Sequence, residues 1–228
     1  MPLIEKIFNP LSSFHHERIF MYLKKLDIDK VIDIGAHKGE FLEKMLKIEK
    51  VKSFYAFEPQ KDIFDDLNKK FSRDNRIALY NYAVDKEITN KMLQINKLST
   101  TSSLAEVNEN SLYLKLKNFL TRSKSNFVNE YEVKTNTIDN LFKDINLEKT
   151  LLKIDVEGYE MNVINGSKMK LKEISYIVIE NQFGNHYKNN NFDDIKNLLL
   201  KYNFVVSKKF IFPTMHYQDV LFKKNNLF

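Results

Sequence analysis

The chain of 228 residues carries five glycines, four prolines, no cysteine and no tryptophan, where average usage would give about 16 glycines and about 11 prolines. This excludes collagen-like, Pro-rich and Gly/Ser-linker architectures, and the missing cysteine excludes a disulfide scaffold, a thiolate zinc centre and a cysteine nucleophile. The formal charge is +6, yet only Arg18, Arg73, Arg76 and Arg122 are arginine and the lysines are spread along the whole chain, which favours a solvated lysine-rich surface over a nucleic-acid face built on clustered arginine.

With 43% apolar residues the chain has the material for a substantial core, and no linker or internal repeat divides it. One domain over residues 1–228 is expected. Met1 to Lys6 lack the basic-then-apolar pattern of a leader, and no apolar run approaches the ~18 residues of a membrane span. A cytoplasmic protein is therefore expected. An N-terminal helix over about residues 12–27 places Ile19, Tyr22, Leu23 and Leu26 inward.

The segments Lys30 to Ile34, Lys52 to Phe57 and Ile77 to Val84 read as buried strands. Between them, Phe41, Leu42, Met45 and Leu46, then Ile63, Phe64, Leu67 and Phe71, recur at helical spacing. Strand, helix, strand, helix, strand implies parallel βαβ units. The rhythm breaks over residues 85–136, where two strand-like pieces (Lys91 to Ile95, Tyr131 to Thr135) flank a Ser/Thr cluster, an amphipathic helix with Leu112, Leu116, Phe119 and Leu120, and a polar tract. A connection this long reads as a lid-like insertion over about residues 97–130. The pattern resumes with a strand Leu151 to Val156, a short helix Glu160 to Asn165, a strand Ile174 to Glu180 and a helix Phe192 to Tyr202. Phe204 to Val206 and Asp219 to Phe222 form a terminal strand pair.

Val31 to Gly39 (VIDIGAHKG) closes a strand and opens a helix, where glycines permit a tight turn and the helix start suits an anionic group. A dinucleotide fingerprint would need a glycine where His37 stands, which argues against an NAD-linked enzyme. Asp33 at the strand end would repel a pyrophosphate and attract an ammonium. Glu58, ending the next strand in Phe57-Glu58-Pro59, can accept hydrogen bonds from both hydroxyls of a ribose. A nucleoside with a cationic tail fits, and S-adenosyl-L-methionine (SAM) meets that description. The alternative for Asp33 is a carboxylate that merely caps the turn.

A second run, Leu151-Leu152-Lys153-Ile154-Asp155-Val156-Glu157-Gly158-Tyr159-Glu160, delivers acidic residues at a strand end. Together with Asp-Ile-Gly-Ala at 33–36, Phe-Glu-Pro at 57–59 and Thr137 to Leu141 (TIDNL), it resembles the FkbM-like family of SAM-dependent methyltransferases from about Lys30 to Gly166. The resemblance implies an α/β class I methyltransferase (Rossmann-like) fold: a seven-stranded, mostly parallel sheet with one antiparallel strand near the edge and helices on both faces. It also implies O-methylation of a hydroxyl on a small glycan, sugar nucleotide, natural product or related small-molecule metabolite. By motif, Asp33, Gly35, Ala36 and Gly39 would hold the methionine part, Glu58 the ribose, Ala83 would lie near the adenine, and Ser102 and Ser103 would sit in a loop approaching the cofactor, with Pro59 and Asp155 also among the cofactor-binding residues.

A hydroxyl acceptor must lose its proton to a base or a metal. Asp155, Glu157 and His186 are the candidate bases, the first two favoured because they leave a strand at the ligand-bearing edge. Asp155 with Glu180 and Asn181 on the next strand also resembles a catechol-type Mg²⁺ site, although Gly158 stands where those enzymes place a lysine. His15, His16 and His216 show no metal-ligand spacing. No Gly-x-Ser-x-Gly elbow or P-loop is present, and a non-catalytic SAM-fold subunit is the alternative outside enzyme classes. The sequence is silent on oligomeric state.

Overall fold

The computed structural model describes residues 3–96, 103–105, 127–183, 191–215 and 217–225. In chain order these form α1 (Leu3–Leu23), β1 (Lys30–Ile34), α2 (Glu40–Met45), β2 (Ser53–Phe57), α3 (Lys61–Phe71), β3 (Ile77–Tyr80), β4 (Ala83–Val84), β5 (Asn90–Asn96), β6 (Phe127–Asn136), α4 (Ile138–Leu141), β7 (Thr150–Ile154), α5 (Glu160–Asn165), β8 (Tyr176–Gln182), α6 (Phe192–Lys201), β9 (Phe204–Ile211) and β10 (Tyr217–Lys224).

Seven strands make one sheet in the order β3-β2-β1-β7-β8-β10-β9. The β1, β2, β3, β7 and β8 pairings are parallel, and β10 runs antiparallel to both neighbours. This is the expected mostly parallel sheet with one reversed strand near the edge. Its strands read as continuous apolar runs because both faces are covered. On one face, Ile19, Leu23, Leu42, Met45, Leu67 and Phe71 of α1, α2 and α3 pack on Val31, Leu151, Val178 and Leu221. On the other, Ile138, Val163, Ile164, Ile195 and Leu199 of α4, α5 and α6 pack on Ile32, Leu152, Ile177 and Val220. Strand order reverses between β1 and β7, and in open α/β sheets ligands bind at the carboxyl ends of strands flanking such a switch point.

Two boundaries differ from the sequence reading. The helix expected at about 12–27 begins at Leu3. The strand expected over residues 77–84 is two strands. Asn81 Nδ2 donates to the carbonyls of Glu58 (2.8 Å) and Pro59 (3.0 Å), drawing the chain off the large sheet, and Ala83–Val84 pairs instead with Thr135–Asn136. A second sheet, β4-β6-β5, results, built from the two strand-like pieces of the insertion. The amphipathic helix and most of the lid-like region lie outside the described residues. Gly166 caps the C-terminus of α5 with a φ of −83°. Glycine is needed there for space, because a Cβ would lie 1.9 Å from the Asp85 carbonyl oxygen. Among the described residues no helix is long and apolar enough to cross a membrane.

Candidate active site

The carboxyl ends of β1, β2, β7 and β8 open into a cavity of about 360 Å³, roofed by α1 and closed at one side by β10. At the β2 end, Gly35 turns the chain with φ +80°. A Cβ there would stand 1.9 Å from the Asp155 carbonyl oxygen, so the ends of β1 and β7 approach as closely as they do only because this residue is glycine. The N–H groups of Gly35 and Ala36 donate to the Phe57 carbonyl (3.1 and 3.0 Å), tying the turn to β2.

Glu58 is nearly buried (6% exposed). Its Oε2 accepts from the His37 N–H (2.9 Å) and its Oε1 from the Gln60 N–H (2.8 Å). Burial pushes its pKa up, and these two backbone donors oppose the rise. The carboxylate is thus aimed before any ligand arrives, with lone pairs left for a pair of hydroxyls. Pro59, Tyr82 and Ala83 continue this wall. Phe57 stacks on Tyr80 at 4.8 Å, so its ring is mainly core.

Asp33 does not line the cavity. Fully buried, it faces Lys153, whose Nζ lies 3.3 Å from Asp33 Oδ1 and 3.1 Å from Asp155 Oδ2, with the Phe41 ring 5.4 Å away. Lysine and aspartate two apart in β7 and just beyond it share one face of the sheet, which builds an Asp33–Lys153–Asp155 ladder. Burial alone would lower the lysine pKa, but Asp155 and Asp33 reverse this and hold Lys153 charged. Lys153 and Asp155 line the cavity.

Beyond Asp155 the wall turns acidic: Glu157, Glu180 and Asp219 face the same space, with Tyr217 beside them. Glu157 takes a left-handed φ of 52° and accepts from Gln182 Nε2 at 2.5 Å. Glu180 is pushed well above the ordinary carboxylate value by burial, then by the charges of Asp155, Glu157 and Asp219. Ser103 reaches the cavity, but its hydroxyl donates to the Glu157 carbonyl (2.6 Å) and accepts from the Ala105 N–H (2.8 Å); it pins its loop to the turn after β7. Gly39 lies behind the wall with φ +78°, where a Cβ would stand 2.5 Å from the Phe71 ring and 2.8 Å from Leu67. Ser102 and His186 lie outside the described residues.

The expected Mg²⁺ set is not assembled. Glu180 and Asn181 are consecutive in β8 and project to opposite faces; Glu180 lines the cavity and Asn181 does not. Asp155, the third expected ligand, already carries the Lys153 ammonium. Among the described residues no group of three His, Cys, Asp or Glu side chains is disposed to hold a metal. These residues do not fit the ion.

Two features escaped the sequence reading. Tyr159 lines the cavity and donates its hydroxyl to Asp85 Oδ1 (3.0 Å), while Lys91 Nζ donates to that hydroxyl (3.0 Å) and pairs with Asp85 Oδ2 (2.6 Å). This knot joins the second sheet to the turn after β7. The TIDNL segment also proves structural: Thr137 Oγ1 accepts from Asn140 N–H (3.0 Å), and the Asp139 carboxylate accepts from the N–H groups of Met169 and Lys170.

The model of the FkbM methyltransferase domain matches residues 33–206. The chain belongs to the FkbM methyltransferase family. The match begins on β1 and takes in the Gly35 turn, Glu58 and the Asp155–Glu160 run, so the β2-to-β8 half of the cavity is the FkbM part. Solved structures share the fold at low identity. A putative tRNA (m1A22) methyltransferase from Streptococcus pneumoniae, in complex with SAM, is 10% identical over 92% of this chain and 72% of its own, with a TM-score of 0.53. A protein of the NADB-Rossmann superfamily from Streptococcus agalactiae is 12% identical over 94% and 69%, with a TM-score of 0.52. The methyltransferase domain of bacterial CtHen1-C is 11% identical over 93% and 98%, with a TM-score of 0.53. No curated protein matches the FkbM chain.

Proposed function

We propose that the protein transfers a methyl group from SAM to a hydroxyl of a small glycan or related metabolite. The observation that carries the donor assignment is Glu58: a buried carboxylate, oriented by two backbone N–H groups beside the Gly35 turn and at the switch point of the sheet. The cradle fits the nucleoside, with Gly35, Ala36 and Pro59 shaping the backbone around it and Tyr82 and Ala83 forming the base-side wall. The Lys153–Asp155 pair fits the carboxylate and ammonium of an amino-acid tail, with Asp33 serving as the buried counter-ion behind Lys153. Bound SAM supplies a methyl group on a sulfonium, open to attack by an oxygen lone pair.

The protein's own part is to position the acceptor, exclude water and remove a proton. Strands spaced about 4.8 Å apart separate Glu58 after β2 from Asp219 on β10 by four steps across the sheet, which leaves the β8–β10 end for the acceptor. Asp155, Glu157, Glu180 and Asp219 make that end repel phosphate and accept hydrogen bonds from hydroxyls. This favours an unphosphorylated polyol over a sugar nucleotide.

Calorimetric titration of SAM into the protein and into Glu58→Gln tests the donor. Glutamine cannot accept at both oxygens, and loss of one charge-assisted bond should weaken binding about 10- to 100-fold, or about 1.5–3 kcal/mol. Unchanged affinity would remove the assignment. Labelled-methyl SAM offered with neutral glycosides and with sugar nucleotides tests the acceptor: label only on phosphorylated sugars would refute the charge argument.

A further inference from the structure

Two adjacent histidines of α1 reach the sheet and do different things. His15 is fully buried, its Nε2 2.7 Å from Asp219 Oδ2 and its ring edge-on to Phe212 and Tyr217. It fastens the helix to β10. His16 lines the cavity on one helical stripe with Ser12, Ile19 and Phe20, and its ring makes no hydrogen bond to a described residue.

A base must reach the acceptor with a lone pair to give, and each neighbouring carboxylate already carries a hydrogen bond or ion pair that lessens its basicity. Asp219 is bonded to His15 and Asp155 to Lys153. Glu157 accepts from Gln182. Glu180 accepts from the same Gln182 amide (3.2 Å), and burial with the surrounding carboxylates raises both Glu180 and the Tyr217 phenol above their ordinary values. Burial lowers His16 below the ordinary histidine value; Lys153 and His15 act in the same direction, and Asp219 and Asp155 oppose it. Glu157 beyond β7, Glu180 and Tyr217 on β8 and β10, Glu40 and Lys44 at α2, His37 and Glu58 at the turns after β1 and β2, and the Tyr82 and Tyr159 phenols complete the charged and titratable groups around the same cavity.

We infer that His16 is the general base that takes the acceptor's proton. This rests on the O-methylation reading above. The acceptor oxygen's lone pair forms the new O–C bond, the C–S bond breaks with its electron pair remaining on sulfur as a neutral thioether, and the hydroxyl proton moves to the imidazole. Asp219 and Asp155 stabilise the imidazolium until the proton passes to solvent. The residues concerned share a further property: His16, Tyr217 and Asp219 all lie outside residues 33–206.

The test uses full-length protein, labelled-methyl SAM and a mixture of methyl glycosides of glucose, galactose, mannose, rhamnose and fucose as probe acceptors. His16→Gln should lower kcat about 100-fold or more with KM for SAM and calorimetric affinity for S-adenosylhomocysteine unchanged. The acid limb of the wild-type pH profile should vanish, and free imidazole should restore turnover to His16→Ala. By NMR, the His16 ring of the S-adenosylhomocysteine complex should titrate below the ordinary histidine value. Turnover by His16→Gln within about threefold of wild type, or a ring protonated at neutral pH, overturns the inference alone. A wild-type protein that binds S-adenosylhomocysteine yet labels no glycoside overturns the O-methylation reading, and this inference with it.

Discussion

Glu160 sits sealed beneath the turn after β7 (3% exposed), where its Oε1 accepts the Gly158 N–H at 3.0 Å. Burial, first of all, raises its pKa from 4.5 to about 7. The folded chain therefore holds this proton more tightly than the unfolded one, and the group's contribution to stability is complete below pH 4.5 and lost as pH rises through about 7. At about 1.4 kcal/mol per pH unit the whole effect is about 3 kcal/mol, of which about 2.5 kcal/mol falls between about pH 5 and about pH 8. Glu160→Gln keeps the size and the accepting oxygen while removing the titration. Urea unfolding of both proteins at the two pH values isolates the term: relative to the variant, wild type should lose about 2.5 kcal/mol on going to the higher pH. If the two stabilities run parallel within about 0.5 kcal/mol, the carboxylate is not buried as described and the reasoning fails. Glu160 does not line the cavity, so SAM affinity should be the same in both proteins.

Gly35→Ala should cost at least about 2 kcal/mol, combining a left-handed φ with a methyl group driven into the Asp155 carbonyl, and should lower Tm by about 4–8 °C; a Tm within about 1 °C of wild type would contradict the close approach of β1 and β7. Because the acidic residues do not form a divalent site, EDTA should leave turnover intact, and loss of rate restored by Mg²⁺ or Mn²⁺ would refute that conclusion.

The alternation of buried strands with amphipathic helices was legible because each element reports its own period, and Gly35, Glu58 and Asp155 were legible because they stand at strand ends, where parallel sheets present side chains to ligands. What escaped depends on pairings distant in sequence. His15 meets Asp219 across 204 positions, and nothing local marks either residue. Asp33 and Lys153 were separately visible as polar residues in apolar strands, but only the β1–β7 register, which sets Asp33 against Lys153, turns an expected ligand contact into a buried ion ladder. A signal did exist for His16: positions 12, 16, 19 and 20 fall on one helical stripe, with two polar residues among apolar ones. The break after Tyr80 was hidden because Ile77 to Val84 keeps strand-like composition throughout, and only the Asn81 hydrogen bonds divert it.

The Tyr159–Asp85–Lys91 knot has a bearing on how the protein reaches its working state. Its hydrogen bonds span 74 and 68 positions, and contacts of that range are made only after loop-closure entropy has been met. The part of the cavity wall that Tyr159 lines is therefore complete only when the second sheet and the turn after β7 are both in place.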